Sequence, residues 1–86
     1  MMQTFQYKVK DEDGLHARPA GLLVKCTQSC SSDVKISLGK KTMDAKRLFA
    51  IMSLCVQQND TITFEIEGKD EQRDCAKLKE FCQKNI

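Results

Sequence analysis

The chain has 86 residues, a formal net charge of +2 and a hydrophobic content of 41%. This length predicts one small domain over residues 1–86, with a thin core and no deep pocket, and the composition is typical of a globular chain and excludes intrinsic disorder. The near-neutral charge, the single tyrosine and the absence of tryptophan argue against a nucleic-acid partner.

Insertion into a membrane is not expected either. The sequence has no run of the roughly 18–20 apolar residues that cross a bilayer, and its first residues lack the apolar core of a signal peptide. We therefore expect a soluble protein that works in the cytoplasm, without direct membrane insertion.

The cysteines are odd in number and include no Cys-x-x-Cys pair, and the chain has one histidine. Zinc sites draw most of their ligands from closely spaced cysteine and histidine residues, so we predict neither a metal site nor a cofactor. Free thiols that pack as small hydrophobic side chains, buried or half-buried, are the better interpretation. The cysteines are Cys26, Cys30, Cys55, Cys75 and Cys82.

Four segments are predicted to be strands: three alternate apolar and polar residues, as strands with one buried face do, and the third in chain order is a short return strand after a turn. They are residues 4–10, 34–38, 41–44 and 61–67. In the last of them Ile62, Phe64 and Ile66 share one face. Gly39 and Lys40 predict a tight hairpin turn between the second and third segments.

Three further segments have the spacing of helices, at residues 17–28, at residues 45–54, and after an N-cap at Asp70. The second is too apolar to bury all of its apolar residues on one stripe. The inner faces of the first and last helices are predicted to consist of Ala20, Leu23, Val24 and Thr27, and of Cys75, Leu78, Phe81 and Cys82.

The predicted order is therefore β-α-β-β-α-β-α. Because each strand has one apolar face, we expect an α+β fold in which the helices cover one side of a largely antiparallel four-stranded sheet. The other side of the sheet would face solvent.

Residues 14–20, Gly-Leu-His-Ala-Arg-Pro-Ala, hold the only histidine and the only proline of the chain. They predict a loop that turns into a helix N-terminus, where Pro19 fits because the first turn has no acceptor for its missing N–H. A helix N-terminus favours an anion. A nucleophilic nitrogen of His16 placed there can hold a phosphoryl group.

Residues 15–20 resemble the active-site motif of HPr, the histidine-containing phosphocarrier protein of the bacterial phosphoenolpyruvate–sugar phosphotransferase system. Residues 46–54 resemble the second helix of that family, and residues 62–71 resemble its last strand and the start of its last helix. The resemblance extends over essentially the full chain. It implies an open-faced β-sandwich, with a four-stranded antiparallel sheet and three helices on one face.

The resemblance implies that His16 accepts a phosphoryl group on Nδ1 from phosphorylated enzyme I and passes it to the enzyme IIA domain of a sugar permease. Arg18 would donate to the phosphoryl oxygens, Ala17 would leave the site open to a partner, and Pro19 would fix the first helical turn. The chain would then be a monomeric carrier and not a complete enzyme, and it would need no metal.

In the family, the first and second helices beside the histidine bind the partner proteins. Apolar residues in excess of what a small core needs are typical of such a docking surface, and basic residues beside them speed encounter with acidic partners. The predicted docking residues are Leu22, Lys25, Arg47, Leu48, Phe49 and Met52.

Two positions depart from the family's pattern. Many members carry a serine after the lysine that starts the second helix, and in some bacteria a dedicated kinase phosphorylates it, whereas this sequence has Arg47 after Lys46. We therefore expect no such regulation at position 47, and the role is not transferred to Ser53. Cys55 stands where a glycine is usual and could expose a thiol.

Two alternatives stay open at this point. The same motif would serve a regulatory paralogue that binds a target in one phosphorylation state, or a binding module with a vestigial site, although the latter is disfavoured because His16 and Arg18 are both present. The sequence does not identify the sugars or acceptors downstream.

Overall fold

The computed structural model describes residues 2–86 and contains one four-stranded sheet. The strands lie in the order β1-β4-β2-β3, and every neighbouring pair is antiparallel. Their bounds are Gln3–Lys8 for β1, Asp33–Leu38 for β2, Lys41–Asp44 for β3 and Thr61–Glu67 for β4. The predicted antiparallel sheet is confirmed, as is the hairpin turn, where Gly39 has a φ of 61°.

Alternation along the strands separates a buried face from a solvent-facing one. In β4, Ile62, Phe64 and Ile66 are fully buried, while the residues between them are half-buried. Phe5 of β1 stacks on Phe64 with ring centroids 5.2 Å apart. The buried face of the sheet packs against apolar residues of the helices, which produces one hydrophobic core.

The first strand is shorter at its end than the predicted segment 4–10. Lys8 pairs with Thr61, the first residue of β4, so the ladder has no partner beyond this point. The N–H of Val9 donates instead to the carbonyl oxygen of Asp60, at 2.9 Å, and its carbonyl accepts from Asn59, at 2.8 Å. Val9 is buried as the alternation predicts, but it lies in a loop contact.

Three helices complete the fold, with α1 at Ala17–Gln28, α2 at Leu48–Ser53 and α3 at Glu71–Asn85. The predicted bounds of the first helix are confirmed, and its predicted inner face is buried except for the half-buried Val24. The open-faced arrangement of four strands and three helices is confirmed. None of the helices in residues 2–86 is long and apolar enough to cross a membrane.

The second helix begins later than the predicted residue 45. The N–H of Ala45 donates to the carbonyl oxygen of Val34, at 2.9 Å, which extends the hairpin by one residue. Oδ1 of Asp44 then accepts the N–H of Lys46, at 2.9 Å, and its carbonyl accepts the N–H of Arg47, at 3.2 Å. This side-chain turn competes with the helix, as aspartate commonly does.

Asp70 occupies the N-cap position of α3 as predicted, but its side chain does not cap the helix. Its Oδ2 accepts a 2.7 Å hydrogen bond from the hydroxyl of Ser31 and lies 3.3 Å from the Arg73 guanidinium. The carboxylate is therefore used to attach the turn before β2 to the start of α3.

Cys55 is exposed, which contradicts the general expectation for the cysteines but agrees with the exposed thiol considered for that position, and the other four cysteines are buried or half-buried free thiols. Burial raises the pKa of Cys82 to about 12, and burial together with the charge of Asp74 raises the pKa of Cys30 to about 11. These two thiols are therefore poor nucleophiles near neutral pH.

Candidate functional site

The loop before α1 is fixed by a close approach of two backbone segments. Gly14 has a φ of 67°, and a Cβ at this position would collide with the carbonyl oxygen of Val56. The same oxygen accepts the N–H of Leu15, at 3.0 Å, and the Leu15 side chain is buried. Glycine is required here because both the backbone angle and the contact exclude a side chain.

His16 follows this contact as the N-cap residue of α1. Its backbone is extended, and its carbonyl accepts the N–H of Ala20, at 2.9 Å, as the first hydrogen bond of the helix. The imidazole makes no capping hydrogen bond, and 41% of the side chain is accessible to solvent. The ring is therefore available to a partner, whereas its backbone is fixed.

The first turn of α1 offers hydrogen-bond donors beside this ring. Within residues 2–86, the structure records no acceptor for the N–H of Ala17 or of Arg18, and Pro19 has no N–H. Such unpaired N–H groups carry the positive partial charge of a helix N-terminus. With the exposed Arg18 guanidinium, they make this end of the helix suitable for phosphoryl oxygens.

A shallow depression brings His16 and Arg18 together with Pro19 and Leu22 of the same helix. Its other side is formed by Lys84 and Asn85 at the end of α3, and by Asp11. Sequence reasoning missed all three of these neighbours. They reach the site through tertiary contacts: the N–H groups of Lys10 and Asp11 donate to the carbonyl oxygen of Ile86, at 2.7 and 3.0 Å, which holds the end of the chain against the loop.

Asp11 is the acidic neighbour of the histidine. Its Oδ2 lies 3.8 Å from Nε2 of His16, and its Oδ1 accepts the N–H of Asp13 at 2.9 Å. The ligand atoms of Asp11, Asp13 and His16 all lie within 4.8 Å of one another, which is the one group in residues 2–86 with the spacing of a cation site. Acids in an exposed turn commonly approach each other without a cation, so this spacing does not by itself indicate a metal.

The predicted docking residues lie on the solvent-facing sides of α1 and α2. Phe49 is 85% exposed, an unusual fraction for a phenylalanine in a small globular protein, and Leu22, Leu48 and Met52 are also exposed. We call these four residues the apolar patch. Of the exposed cations, Lys25 lies in α1 and Arg47 is the N-cap residue of α2.

The end of α1 is bonded to the segment that leads into α2. Nε2 of Gln28, at the end of α1, donates to the carbonyl oxygen of Lys46, just before α2, at 3.1 Å. Leu22 also lines the depression around His16. Leu22 therefore belongs both to the apolar patch and to the depression around the histidine, and the other three residues of the patch lie on α2.

Comparisons with known proteins agree with this arrangement. A family model described as the PTS HPr component phosphorylation site matches residues 3–84. The phosphocarrier protein HPr of Mycoplasma genitalium is 34% identical over 85 residues, which are 98% of this chain and 97% of that protein.

Solved structures are similar over nearly the whole chain. HPr from Thermoanaerobacter tengcongensis has a TM-score of 0.91 at 31% identity, with 96% of this chain and 93% of that chain covered. HPr from Bacillus anthracis has a TM-score of 0.89 at 33% identity, with 95% and 98% covered. An HPr dimer from T. tengcongensis is also similar, with a TM-score of 0.76 at 33% identity and coverage of 91% and 90%.

The family model spans nearly the whole chain, and the M. genitalium protein matches 98% of the chain. The structure has the same four strands and three helices as the solved HPr structures. The single histidine of this chain lies at the start of its first helix. The chain therefore belongs to the HPr family, the phosphocarrier proteins of the phosphotransferase system.

Proposed function

We propose that His16 accepts a phosphoryl group from phosphorylated enzyme I and passes it to the enzyme IIA domain of sugar permeases. The observation that carries this proposal is the placement of His16, whose imidazole is exposed at the N-cap of α1 and takes no part in capping. The unpaired N–H groups of Ala17 and Arg18 and the membership of the HPr family support it.

The chemistry follows from these groups. A neutral imidazole nitrogen of His16 attacks the phosphorus on the donor, and the donor's bond to phosphorus breaks as the new N–P bond forms. Arg18 and the N-terminus of α1 supply positive charge to the phosphoryl oxygens. Onward transfer reverses these steps against a second partner. Phosphoryl transfer depends mostly on positioning and charge, so we infer a carrier whose partners complete each active site.

The apolar patch and its flanking cations are the docking surface that we propose for both partners. Leu22 connects the patch to the depression around His16, so a protein seated on the patch would cover the histidine. Lys25 and Arg47 would attract acidic partner surfaces and raise the rate of association more than the affinity.

Acceptance from enzyme I tests the site. With enzyme I and phosphoenolpyruvate, we expect the wild type to gain an acid-labile phosphoryl group and His16→Ala to gain none. Gln6→Ala is the matched control, because Gln6 is exposed on β1, away from α1. If His16→Ala still accepts the phosphoryl group, the assignment is wrong.

Affinity for enzyme I tests the docking surface. Phe49→Ala should weaken binding by about 1–2 kcal/mol, because truncation of a central apolar side chain removes buried contact area. Met2→Ala is the control, since Met2 is also an exposed large apolar residue, at 48%, but precedes β1. Equal affinities of the two variants would remove Phe49 from the interface.

Arg47 occupies the position at which many HPr proteins carry a serine, which a kinase phosphorylates in some bacteria. We propose that a kinase acting on the serine of other HPr proteins does not phosphorylate this chain there, because an arginine stands at the N-cap of α2. Incubation with HPr kinase should label Arg47→Ser and leave the wild type unlabelled at position 47. Label on the wild-type residue 47 would contradict this proposal.

We also propose a single domain, a cytoplasmic location and a monomeric state for this chain. The family match over residues 3–84 and the shared core support a single HPr domain, and the role supports a cytoplasmic location with reduced cysteines. We propose that the chain works as a monomer, because a partner must reach the apolar patch. Light scattering at working concentration tests this, and a stable dimer would contradict it.

A further inference from the structure

The carboxylate of Asp11 is held in place on the side of His16 by its own loop. Its Oδ1 accepts the N–H of Asp13, at 2.9 Å, and its carbonyl oxygen accepts the N–H of Gly14, at 2.9 Å. These two bonds fix the turn and leave Oδ2 facing the imidazole, 3.8 Å from Nε2. The approach is therefore a property of the loop and not of one freely rotating side chain.

This contact gives the two ring nitrogens of His16 different electrostatic surroundings. A neutral imidazole carries one proton, on either Nδ1 or Nε2. A separation of 3.8 Å is too long for a hydrogen bond, but an N–H dipole at Nε2 is attracted to the carboxylate, whereas a lone pair there is repelled. A phosphoryl group on Nε2 would place its negative oxygens against Asp11.

We propose that Asp11 is a positioning residue for His16: its carboxylate keeps the ring proton on Nε2 and so leaves the lone pair of Nδ1 for the phosphoryl group. This inference rests on the proposed function of His16. It assigns a role to a residue outside the motif of residues 15–20.

The ring proton stays on Nε2 of His16 throughout the transfer. The Nδ1 lone pair attacks the phosphorus of a phosphorylated donor side chain, the donor keeps the electron pair of the broken bond, and His16 becomes a phosphoimidazolium with its proton on Nε2. The Asp11 carboxylate stabilises that positive ring. When an acceptor attacks the phosphorus, the N–P electrons return to Nδ1, and His16 leaves as a neutral imidazole that still carries the proton.

Other charged groups also lie around the ring. Asp13 belongs to the same group of close ligand atoms, while Arg18 and Lys84 line the depression. Lys84 is paired with Glu80 at 2.7 Å. These groups must stay unchanged, so each test variant replaces Asp11 and no other residue near the ring.

The test compares Asp11→Asn and Asp11→Ser with Glu12→Gln. Both Asp11 variants keep a side-chain oxygen for the turn and remove the carboxylate, and Glu12→Gln removes the same charge from the neighbouring exposed position. Nitrogen NMR of ¹⁵N-histidine-labelled, unphosphorylated protein at about pH 9, where an ordinary imidazole is neutral, gives the ratio of the two tautomers. The rate of acceptance from phosphorylated enzyme I is measured on the same samples.

We expect both Asp11 variants to lower the ratio of the Nε2–H to the Nδ1–H tautomer by about two- to fivefold, the size of an exposed charge interaction, and to lower the acceptance rate by a similar factor. Glu12→Gln should match the wild type in both. A tautomer ratio equal to that of Glu12→Gln overturns the proposal, as does an unchanged acceptance rate. If the wild type accepts no phosphoryl group at all, the proposed function fails, and the tautomer ratio still decides whether Asp11 places the proton.

Discussion

The hydroxyl of Thr27, near the end of α1, donates a 2.6 Å hydrogen bond to the carbonyl oxygen of Ala45, just before α2. Both residues are fully buried. The bond joins the helix that begins at His16 to the segment that leads into the helix carrying Phe49. It therefore helps to fix the histidine site and the apolar patch relative to each other.

Thr27→Val tests this connection, because valine has nearly the same shape and lacks the hydroxyl. The Ala45 oxygen would remain buried without its partner, so we expect the free energy of unfolding to fall by about 1–3 kcal/mol. Urea denaturation measures the change. Thr61→Val, at an exposed position of β4, should change the stability by no more than about 0.5 kcal/mol. Equal losses in the two variants would contradict the role of the bond.

Arg47→Ser should stabilise the protein. Arg47 is the N-cap of α2, has an extended backbone with φ −121° and ψ 120°, and makes no capping hydrogen bond from its side chain. A serine hydroxyl there can accept an N–H of the first turn, which is worth about 0.5–1 kcal/mol. Thermal denaturation of Arg47→Ser and Arg47→Ala separates the cap from the loss of arginine, and a serine variant no more stable than the alanine one would rule out the cap.

Cys55→Gly should also raise the stability. Cys55 follows the C-cap of α2 with a φ of 52°, a left-handed conformation in which a side chain is strained and glycine is not. Relief of this strain exceeds the added flexibility of the unfolded chain, so we expect a gain of about 0.5–1 kcal/mol. Cys55→Ala keeps a Cβ and should show no such gain in the same urea titration. A comparable gain for alanine would mean that the thiol, not the backbone angle, is unfavourable.

We expect the folded protein to lose stability in acid because of Asp74. Burial alone would raise the pKa of this carboxyl, but the hydrogen bond from the backbone N–H of Ser32 and the positive charge of Arg73 outweigh burial and hold the pKa below the usual 3.8. A pKa lower in the folded than in the unfolded state stabilises the protein above the unfolded value, and this contribution disappears as the pH falls through the folded pKa. The charged carboxylate accepts the N–H of Ser32 at 3.1 Å.

Asp74→Asn keeps an acceptor for Ser32 and removes the charge. We expect it to be about 1–3 kcal/mol less stable than the wild type at neutral pH and the gap to narrow as the pH drops below the usual value of an aspartate. Urea denaturation at a series of pH values measures this. Asp33→Asn, at an exposed residue, should stay within about 0.5 kcal/mol of the wild type. A gap for Asp74→Asn that does not change with pH would contradict the ionic contribution.

Local patterns predicted β1, β2 and β4 well, because each has one face turned to the core and the period-two alternation follows it, whereas β3 was predicted from the turn before it. The bounds of β4 and α1 follow from such patterns. The errors at the helix starts come from aspartate side chains whose hydrogen-bond partners were not expected. Asp44 forms a turn that delays α2, and Asp70 bonds to Ser31 instead of capping α3. Aspartate oxygens can serve several nearby N–H or hydroxyl donors, and the sequence does not specify which one they choose.

The functional site could be predicted only where a local sequence pattern positions its residues. The placement of His16 and Arg18 follows from a helix start with Pro19 in its first turn. The approach of Asp11 does not, because it depends on contacts of the loop with distant segments, such as the bond from Leu15 to Val56. The local bonds of the loop hold the Asp11 carboxylate, and these distant contacts hold the loop.

Onward transfer of a purified phosphorylated sample tests the central claim most directly. The chain is labelled with radioactive phosphoenolpyruvate and enzyme I, freed of both, and mixed with an enzyme IIA domain. We predict that the label lies on His16 before mixing and moves to the IIA domain in a single turnover, with the carrier returned to its unphosphorylated form. Label that stays on the chain for every IIA domain tried, or that lies on a residue other than His16, would contradict the account.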